Sequence, residues 1–140
     1  MQVRLCSMSA VLLVVSFAFQ GCGGTDGPDL GTVTGKVTLD GQPAAKATVI
    51  FTPESGGAPS YGGTNDEGQF TMLFTADKKG AAVGKHKVSI QSGTIKENEN
   101  GKPIPGQNVT KIPNKFQKND ALSAEVKAGP NVIDFTLESK

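Results

Sequence analysis

The fold is decided by residues 32–41, TVTGKVTLDG. Val33, Val37 and Leu39 fall on one face of this stretch, and threonine and lysine side chains fall on the other. Alternation with a period of two is typical of a half-buried β-strand. The Asp-Gly pair that ends the stretch predicts a type I′ hairpin turn, because both positions of that turn need positive φ angles. We therefore predict a first strand and a hairpin, with residues 47–52 as the returning strand.

Further short strands follow at intervals marked by glycine and proline, of which the chain has 18 and 8. No window of useful length has helical periodicity. Seven short strands with alternating faces predict an all-β, two-sheet antiparallel sandwich. The predicted strands cover 32–39, 47–52, 60–64, 69–74, 84–92, 122–126 and 132–137. The predicted core is formed by Val33, Val37, Leu39, Val49, Phe51, Phe70, Met72, Phe74, Val88, Ile90, Leu122, Val126, Ile133, Phe135 and Leu137.

Residues 93–119 separate the fifth and sixth predicted strands. This segment contains the polar run ENEN at 97–100 and three prolines. We predict that it is one long loop, because it is too polar and too interrupted for a core element.

The N-terminus has the layout of a bacterial secretory signal, with a positive start, an apolar run and a small residue before Cys22. The ending Phe19-Gln20-Gly21-Cys22 resembles a lipoprotein signal. That resemblance implies a signal peptide over 1–21, cleavage before Cys22 and lipid attached to the new N-terminal cysteine. Residues 22–31 are then a flexible tether, and 32–140 form the sandwich. An ordinary secretory signal and a retained anchor remain as alternatives, although an apolar run of about 15 residues is shorter than a bilayer span.

Charge and cysteine content exclude several classes of function. Without Arg4 the chain keeps 13 of its 14 basic residues against 13 acidic ones. A net charge near zero argues against a nucleic-acid partner, which would need a basic excess. Loss of Cys6 with the signal leaves one cysteine, so an internal disulfide and a multi-cysteine metal site are excluded.

Several segments in order resemble the carboxypeptidase regulatory-like domains. The resemblance covers most of the sandwich and implies a transthyretin-like Greek-key fold, in the form of a small single-domain bacterial lipoprotein. It implies no shared catalytic residues. The matching segments are VTGKV at 33–37, DGQP at 40–43, ATVIF at 47–51, TNDEGQF at 64–70, GKHKVSI at 84–90, IPNKF at 112–116, LSAEV at 122–126 and NVIDF at 131–135.

His86 is the one histidine of the chain, and it stands where members of that family usually have tyrosine. Its phase with Val88 and Ile90 places it on the core side, where a lone histidine is more typical of packing than of a ligand. No nucleophile-elbow sequence is present. We therefore predict that the protein is not an enzyme and has no catalytic residues.

Two acidic pairs are candidate cation ligands. Asp66 and Glu67 lie in a tight turn, where an Asp side chain normally caps its own backbone. Glu97 and Glu99 lie in the polar loop, and a calcium site needs six or more oxygens in fixed geometry. We therefore predict no metal and no cofactor.

The sequence favours a non-enzymatic, lipid-anchored β-sandwich of the cell envelope, acting as a structural, spacer or interaction domain. Its partners would be the membrane, through lipid at Cys22, and envelope proteins or glycans. The alternative is a glycan- or peptide-binding surface module that uses loop 93–119. The candidate ligand-binding residues are Tyr61, Lys111, Lys115 and Phe116.

Overall fold

The computed structural model describes residues 27–93, 98–102 and 109–140. The predicted signal peptide, Cys22 and parts of loop 93–119 lie outside these residues. The described chain is all-β, with one short 3-10 helix at Asn114–Phe116 and no α-helix. Its strands are β1 (Leu30–Leu39), β2 (Gln42–Pro43), β3 (Thr48–Pro53), β4 (Ser60–Gly63), β5 (Gln69–Thr71), β6 (Ala81–Ala82), β7 (Gly84–Gln91), β8 (Leu122–Val126), β9 (Gly129–Val132) and β10 (Phe135–Leu137).

The first sheet is built around β1, which is the longest strand. On one side β1 pairs antiparallel with β6, β5 and β2 in turn along its length. On its other side it pairs with β9 and then β10, and both of these pairings are parallel. The prediction of purely antiparallel pairing is therefore wrong for the C-terminal strands.

The second sheet has the order β4-β3-β7-β8 and is antiparallel throughout. The two sheets pack over one core, where Phe51 of β3 meets Phe135 of β10 edge to face with ring centroids 6.1 Å apart. Burial of each large apolar side chain contributes about 1.5–3 kcal/mol.

Most of the predicted core is confirmed. Eleven of the fifteen residues are buried, Leu39, Leu122 and Ile133 are partly buried against the core, and Phe74 is half-buried at one end of the sandwich. The buried core residues that the alternating pattern missed are Ala44, Ala47, Ala81 and Ile112.

The Asp-Gly turn is confirmed, but its returning strand is not residues 47–52. Asp40 and Gly41 both have positive φ, 51° and 81°, and Leu39 pairs with Gln42 across the turn. The return is only two residues long. The chain then crosses at Ala44–Ala47 into the second sheet, helped by a positive φ of 54° at Lys46.

Thr64 fixes this crossing from the neighbouring turn. Its buried Oγ1 accepts a hydrogen bond from the backbone N–H of Ala47 at 2.8 Å and donates one to the carbonyl oxygen of Ala44. The buried polar atoms of an irregular segment are therefore satisfied by a side chain. The alternation of side chains along a strand does not predict the hydrogen bonds that Thr64 makes with Ala44 and Ala47.

The last predicted strand is broken into β9 and β10, which with the short β2 and β6 raises the number of described strands to ten from the predicted seven. The break is at Ile133 and Asp134. Ile133 N–H still donates to the carbonyl oxygen of Thr34 at 2.8 Å, whereas Asp134 uses its side chain to accept from Lys36 N–H at 2.9 Å.

Candidate functional site

His86 lies in the core, as its phase predicts. It is 1% exposed, and its ring packs against that of Phe51 with centroids 5.4 Å apart. Nε2 is 2.6 Å from the carbonyl oxygen of Ala82. Because a carbonyl oxygen only accepts, Nε2 carries a proton in this contact, whereas Nδ1 is buried and has no hydrogen-bond partner among the described residues. The histidine therefore does not present its ring to a substrate in solvent.

The C-terminal part of loop 93–119 is fastened to the sandwich. Thr110 and Ala45 bond reciprocally: Thr110 N–H donates to the carbonyl of Ala45, and Thr110 Oγ1 accepts from Ala45 N–H at 2.9 Å. Ile112 is 1% exposed and fully in the core, and its N–H donates to Ser92 Oγ at 2.8 Å. The expectation that this loop contributes no core element is wrong at Ile112.

Three of the four candidate ligand-binding residues follow Thr110 on this fastened segment. Lys111 and Lys115 are exposed, and Phe116 is partly buried against the core. Lys115 Nζ lies 4.9 Å from the centroid of the Phe116 ring and donates to the carbonyl oxygen of Lys140. The structure thus brings Lys115, Phe116 and the C-terminus together.

Tyr61, the fourth candidate, lies elsewhere. It is 50% exposed in β4, where its backbone exchanges two hydrogen bonds with that of Leu73. The 3-10 helix that contains Phe116 packs against β7, and β8 is the next strand out. β4 and β7 are separated by β3, which places them about 10 Å apart at ordinary strand spacing. Among the described residues, no hydrogen bond or ring contact links Tyr61 to the other three candidates.

Asp40 is close to the same C-terminal residues. Its Oδ1 accepts a hydrogen bond from Ser139 N–H at 2.9 Å. Hydrogen bonds from the Ser139 side chain and backbone lower the pKa of Asp40 below its ordinary value, and the positive charge of Lys115 adds to this effect. The Asp40 carboxylate lies at the surface, and its hydrogen bond with Ser139 N–H holds the C-terminal end of the chain there.

The turn at 65–68 is closed by asparagine. Asn65 Oδ1 accepts from the N–H groups of Glu67 and Gln69 at 3.0 and 2.9 Å, so the expectation that Asp66 caps its own backbone is wrong. Asn and Asp share this ability. Within residues 27–93, 98–102 and 109–140 there is no group of three potential metal-ligating side chains. The same part of the chain contains no helix of the length and hydropathy needed to cross a membrane.

A cavity of about 390 Å³ opens at the end of the sandwich where the chain enters it. Its lining includes Pro28 and Asp29 before β1, Pro53 at the end of β3, loop residues 55–58, Phe74, and the β6–β7 turn at Ala82 and Val83. We call this end the tether end. Sequence reasoning placed Phe74 in the core, and it missed the cavity because the lining comes from four separate segments.

Comparison with known proteins adds little. No family model and no curated protein matches the chain. Among solved structures, the chain is similar to a 9R-lipoxygenase from Cyanothece PCC8801, with 14% identity and a TM-score of 0.40. The match covers 79% of this chain and 16% of the lipoxygenase chain. A likeness this weak carries no argument about function.

Proposed function

We propose that this protein is a non-enzymatic, lipid-anchored module of the cell envelope that acts as a structural, spacer or interaction domain. The observation that carries the proposal is the sequence Phe19-Gln20-Gly21-Cys22 after an apolar run. The first strand begins at Leu30, eight residues after Cys22. A short polar and glycine-rich segment between a lipidated cysteine and a β-sandwich is the arrangement of a tethered surface domain.

The state of His86 supports the non-enzymatic part of the proposal. General acid–base catalysis needs a side chain within hydrogen-bond reach of the substrate. The imidazole here is buried, and its N–H is already bonded to the carbonyl of Ala82. Histidine is the residue that most often serves as a catalytic base. The one histidine of this chain is buried and already hydrogen-bonded within the sandwich.

We also propose that the sandwich is of the carboxypeptidase regulatory-like, Greek-key type. The all-β fold with two sheets on one core agrees with the coarse form of that expectation. The Greek-key connection and the family remain proposals that rest on the segment order in the sequence.

The anchoring is tested by the intact mass and the location of the protein expressed from its full gene in a Gram-negative host. We expect a mature chain that starts at Cys22 with added acyl mass, found in the membrane fraction. Cys22→Ala should move the protein to the soluble extracytoplasmic fraction. Cys6→Ala is the matched control, because Cys6 is removed with the signal and its loss should change neither mass nor location. An unmodified chain in the soluble fraction would overturn the proposal.

The alternative function is a glycan- or peptide-binding module that reads its ligand with loop 93–119. The hydrogen bonds of Thr110 and Ile112 with the sandwich favour this alternative. They hold the segment that carries the exposed Lys111 and Lys115 in one position. A preorganised surface loses less conformational entropy on binding.

This alternative is tested with purified mature protein on an array of envelope glycans and peptides. Lys111→Ala combined with Lys115→Ala should abolish any binding that uses this surface. Lys78→Ala combined with Lys79→Ala is the matched control, because both lysines are exposed between β5 and β6 of the first sheet, whereas the 3-10 helix of the loop packs against β7 of the second sheet. Binding that both double variants retain equally would remove the alternative.

A further inference from the structure

The tether end carries apolar side chains around a cavity. Val83 is 41% exposed at its rim, Phe74 is half-buried, and Pro28 and Ala58 are exposed beside them. Asp29 is the one charged residue of the lining within the described part of the chain. The apolar area of this rim is small, so its position relative to the anchor, rather than its size, decides what it can contact.

The exposure of Val83 is fixed by backbone geometry. Its N–H donates to the carbonyl oxygen of Asp29 at 2.8 Å, and the following residue, Gly84, has a φ of 128° that L side chains rarely adopt. The valine is therefore held at the apex of a sharp turn between β6 and β7, directly beside the chain that leads to the tether.

A basic side chain flanks the rim. Lys78 Nζ lies 3.9 Å from the point where a side chain on Gly27 would begin, and the carbonyl of Lys78 accepts from Phe74 N–H at 2.8 Å. An apolar rim with a neighbouring lysine matches the region of a bilayer where acyl chains meet phosphate headgroups.

The length of the tether limits the orientation of the domain. Cys22 is five residues before Gly27, so the extended chain between them spans at most about 18 Å. The ten residues of β1 extend about 30 Å at the rise of a β-strand. A domain anchored at Cys22 therefore cannot invert to place Asp40, at the far end of β1, on the membrane.

We infer that the tether end is a membrane-docking surface, in which Val83 and the rim of the cavity contact the phospholipid bilayer that holds the anchor. This inference rests on the proposed lipidation of Cys22. It deepens that proposal by naming the side of the domain that meets the lipid. The turn at Asp40 and the fastened part of loop 93–119 then point away from the membrane.

The test uses the lipidated full-length protein with one engineered cysteine labelled with the fluorophore NBD. Val83→Cys reports on the rim. Val132→Cys is the matched control, because Val132 is 77% exposed but pairs with Thr34, midway along β1. The proteins are reconstituted in vesicles of phosphatidylethanolamine and phosphatidylglycerol, with and without a spin-labelled phosphatidylcholine. We expect at least two-fold quenching of the label at 83 and none at 132. Equal quenching, or none at 83, overturns the inference.

Two further measurements keep the result interpretable. Ala58→Cys places the label on a second residue of the cavity lining, in case substitution of Val83 disturbs its turn. Adding Val83→Glu to Ala58→Cys should at least halve the quenching at 58; unchanged quenching would mean that the tether alone holds this end near the lipid, which overturns docking. The intact mass of each preparation separates the two proposals. Absence of acyl mass removes the proposed function, whereas an acylated protein with an unquenched rim removes only the docking surface.

Discussion

The carboxylate of Asp134 accepts a hydrogen bond from the backbone N–H of Lys36 at 2.9 Å, in the gap between β9 and β10. In a parallel ladder this N–H would bond to a backbone carbonyl of the neighbouring strand. Here a side chain takes over that role for one position. The ladder resumes at Val37, which pairs with Phe135. A single aspartate thus spans the interruption between β9 and β10, and the register with β1 is the same on both sides of it.

Replacing Asp134 should lower the stability of the sandwich. We expect Asp134→Ala to reduce the free energy of unfolding by about 1 kcal/mol, because Lys36 N–H loses a charge-assisted partner at an exposed position where water partly replaces it. Asp134→Asn keeps an acceptor oxygen and should lose less than half as much. Urea unfolding followed by circular dichroism measures both. Equal losses for the two variants would contradict a role for the acceptor.

Gly35 faces the same interruption between β9 and β10 and has no room for a side chain. A Cβ on Gly35 would lie 1.8 Å from the carbonyl oxygen of Ile133. We expect Gly35→Ala to cost about 3 kcal/mol, because a backbone must shift rather than a flexible side chain. Gly63→Ala is the control, since nothing lies within 4 Å of a Cβ at that position. Thermal unfolding of both variants tests the difference, and similar midpoints would show that the backbone at Ile133 moves to accommodate the extra methyl group.

The alternating pattern predicted what depends on neighbours along the chain. Val33 and Val37 are buried as expected, and Asp40 and Gly41 adopt the two positive φ angles that a type I′ turn requires. These features follow from side-chain spacing and from local steric preference. The same pattern could not show that Thr48–Pro53 joins the other sheet, because the crossing depends on contacts with Thr64.

Long-range pairings were also invisible to local patterns. The sequence pattern indicates only that Asp134 faces outward from a strand. It does not predict the hydrogen bond with Lys36, which is 98 positions away. The sheet order that sets the distance between Tyr61 and Lys115 is likewise not contained in a local pattern. Exposure and residue type identify candidate ligand-binding residues, whereas their distances depend on topology.

Thr64 offers a test of the crossing between the sheets. Thr64→Val keeps the shape of the side chain but leaves buried polar groups of Ala44 and Ala47 without partners. We expect a loss of about 2 kcal/mol in the free energy of unfolding. Thr71→Val, on an exposed position of β5, should change it by less than about 0.5 kcal/mol. Equal effects would mean that the Thr64 hydroxyl does not stabilise the crossing.

Among the described residues of loop 93–119, Ile112 should be the most sensitive to substitution. Ile112→Ala removes a side chain that is 1% exposed, and we expect it to cost about 3 kcal/mol through lost burial and the cavity left behind. Lys111→Ala, at the exposed neighbouring position, should leave stability unchanged. Urea unfolding compares the two, and a neutral Ile112→Ala would contradict the view that the loop closes the core.

Asp40 should make the stability of the protein depend on pH in the acid range. Its pKa is lowered in the folded state, mainly by the side-chain and backbone hydrogen bonds from Ser139 and least by Lys115. The sign follows from linkage: the stabilisation is fully present above the unfolded-state pKa and is lost as the pH falls through the lower, folded-state value. An NMR titration of the Asp40 carboxyl carbon measures that value directly. We expect Ser139→Ala to raise it by more than Lys115→Ala does, because the hydroxyl hydrogen bond is the larger cause. Asp40→Asn, which suits the same turn, should flatten the fall of the urea midpoint below pH 4. A larger effect from Lys115→Ala would show that charge, rather than hydrogen bonding, holds the carboxylate ionised.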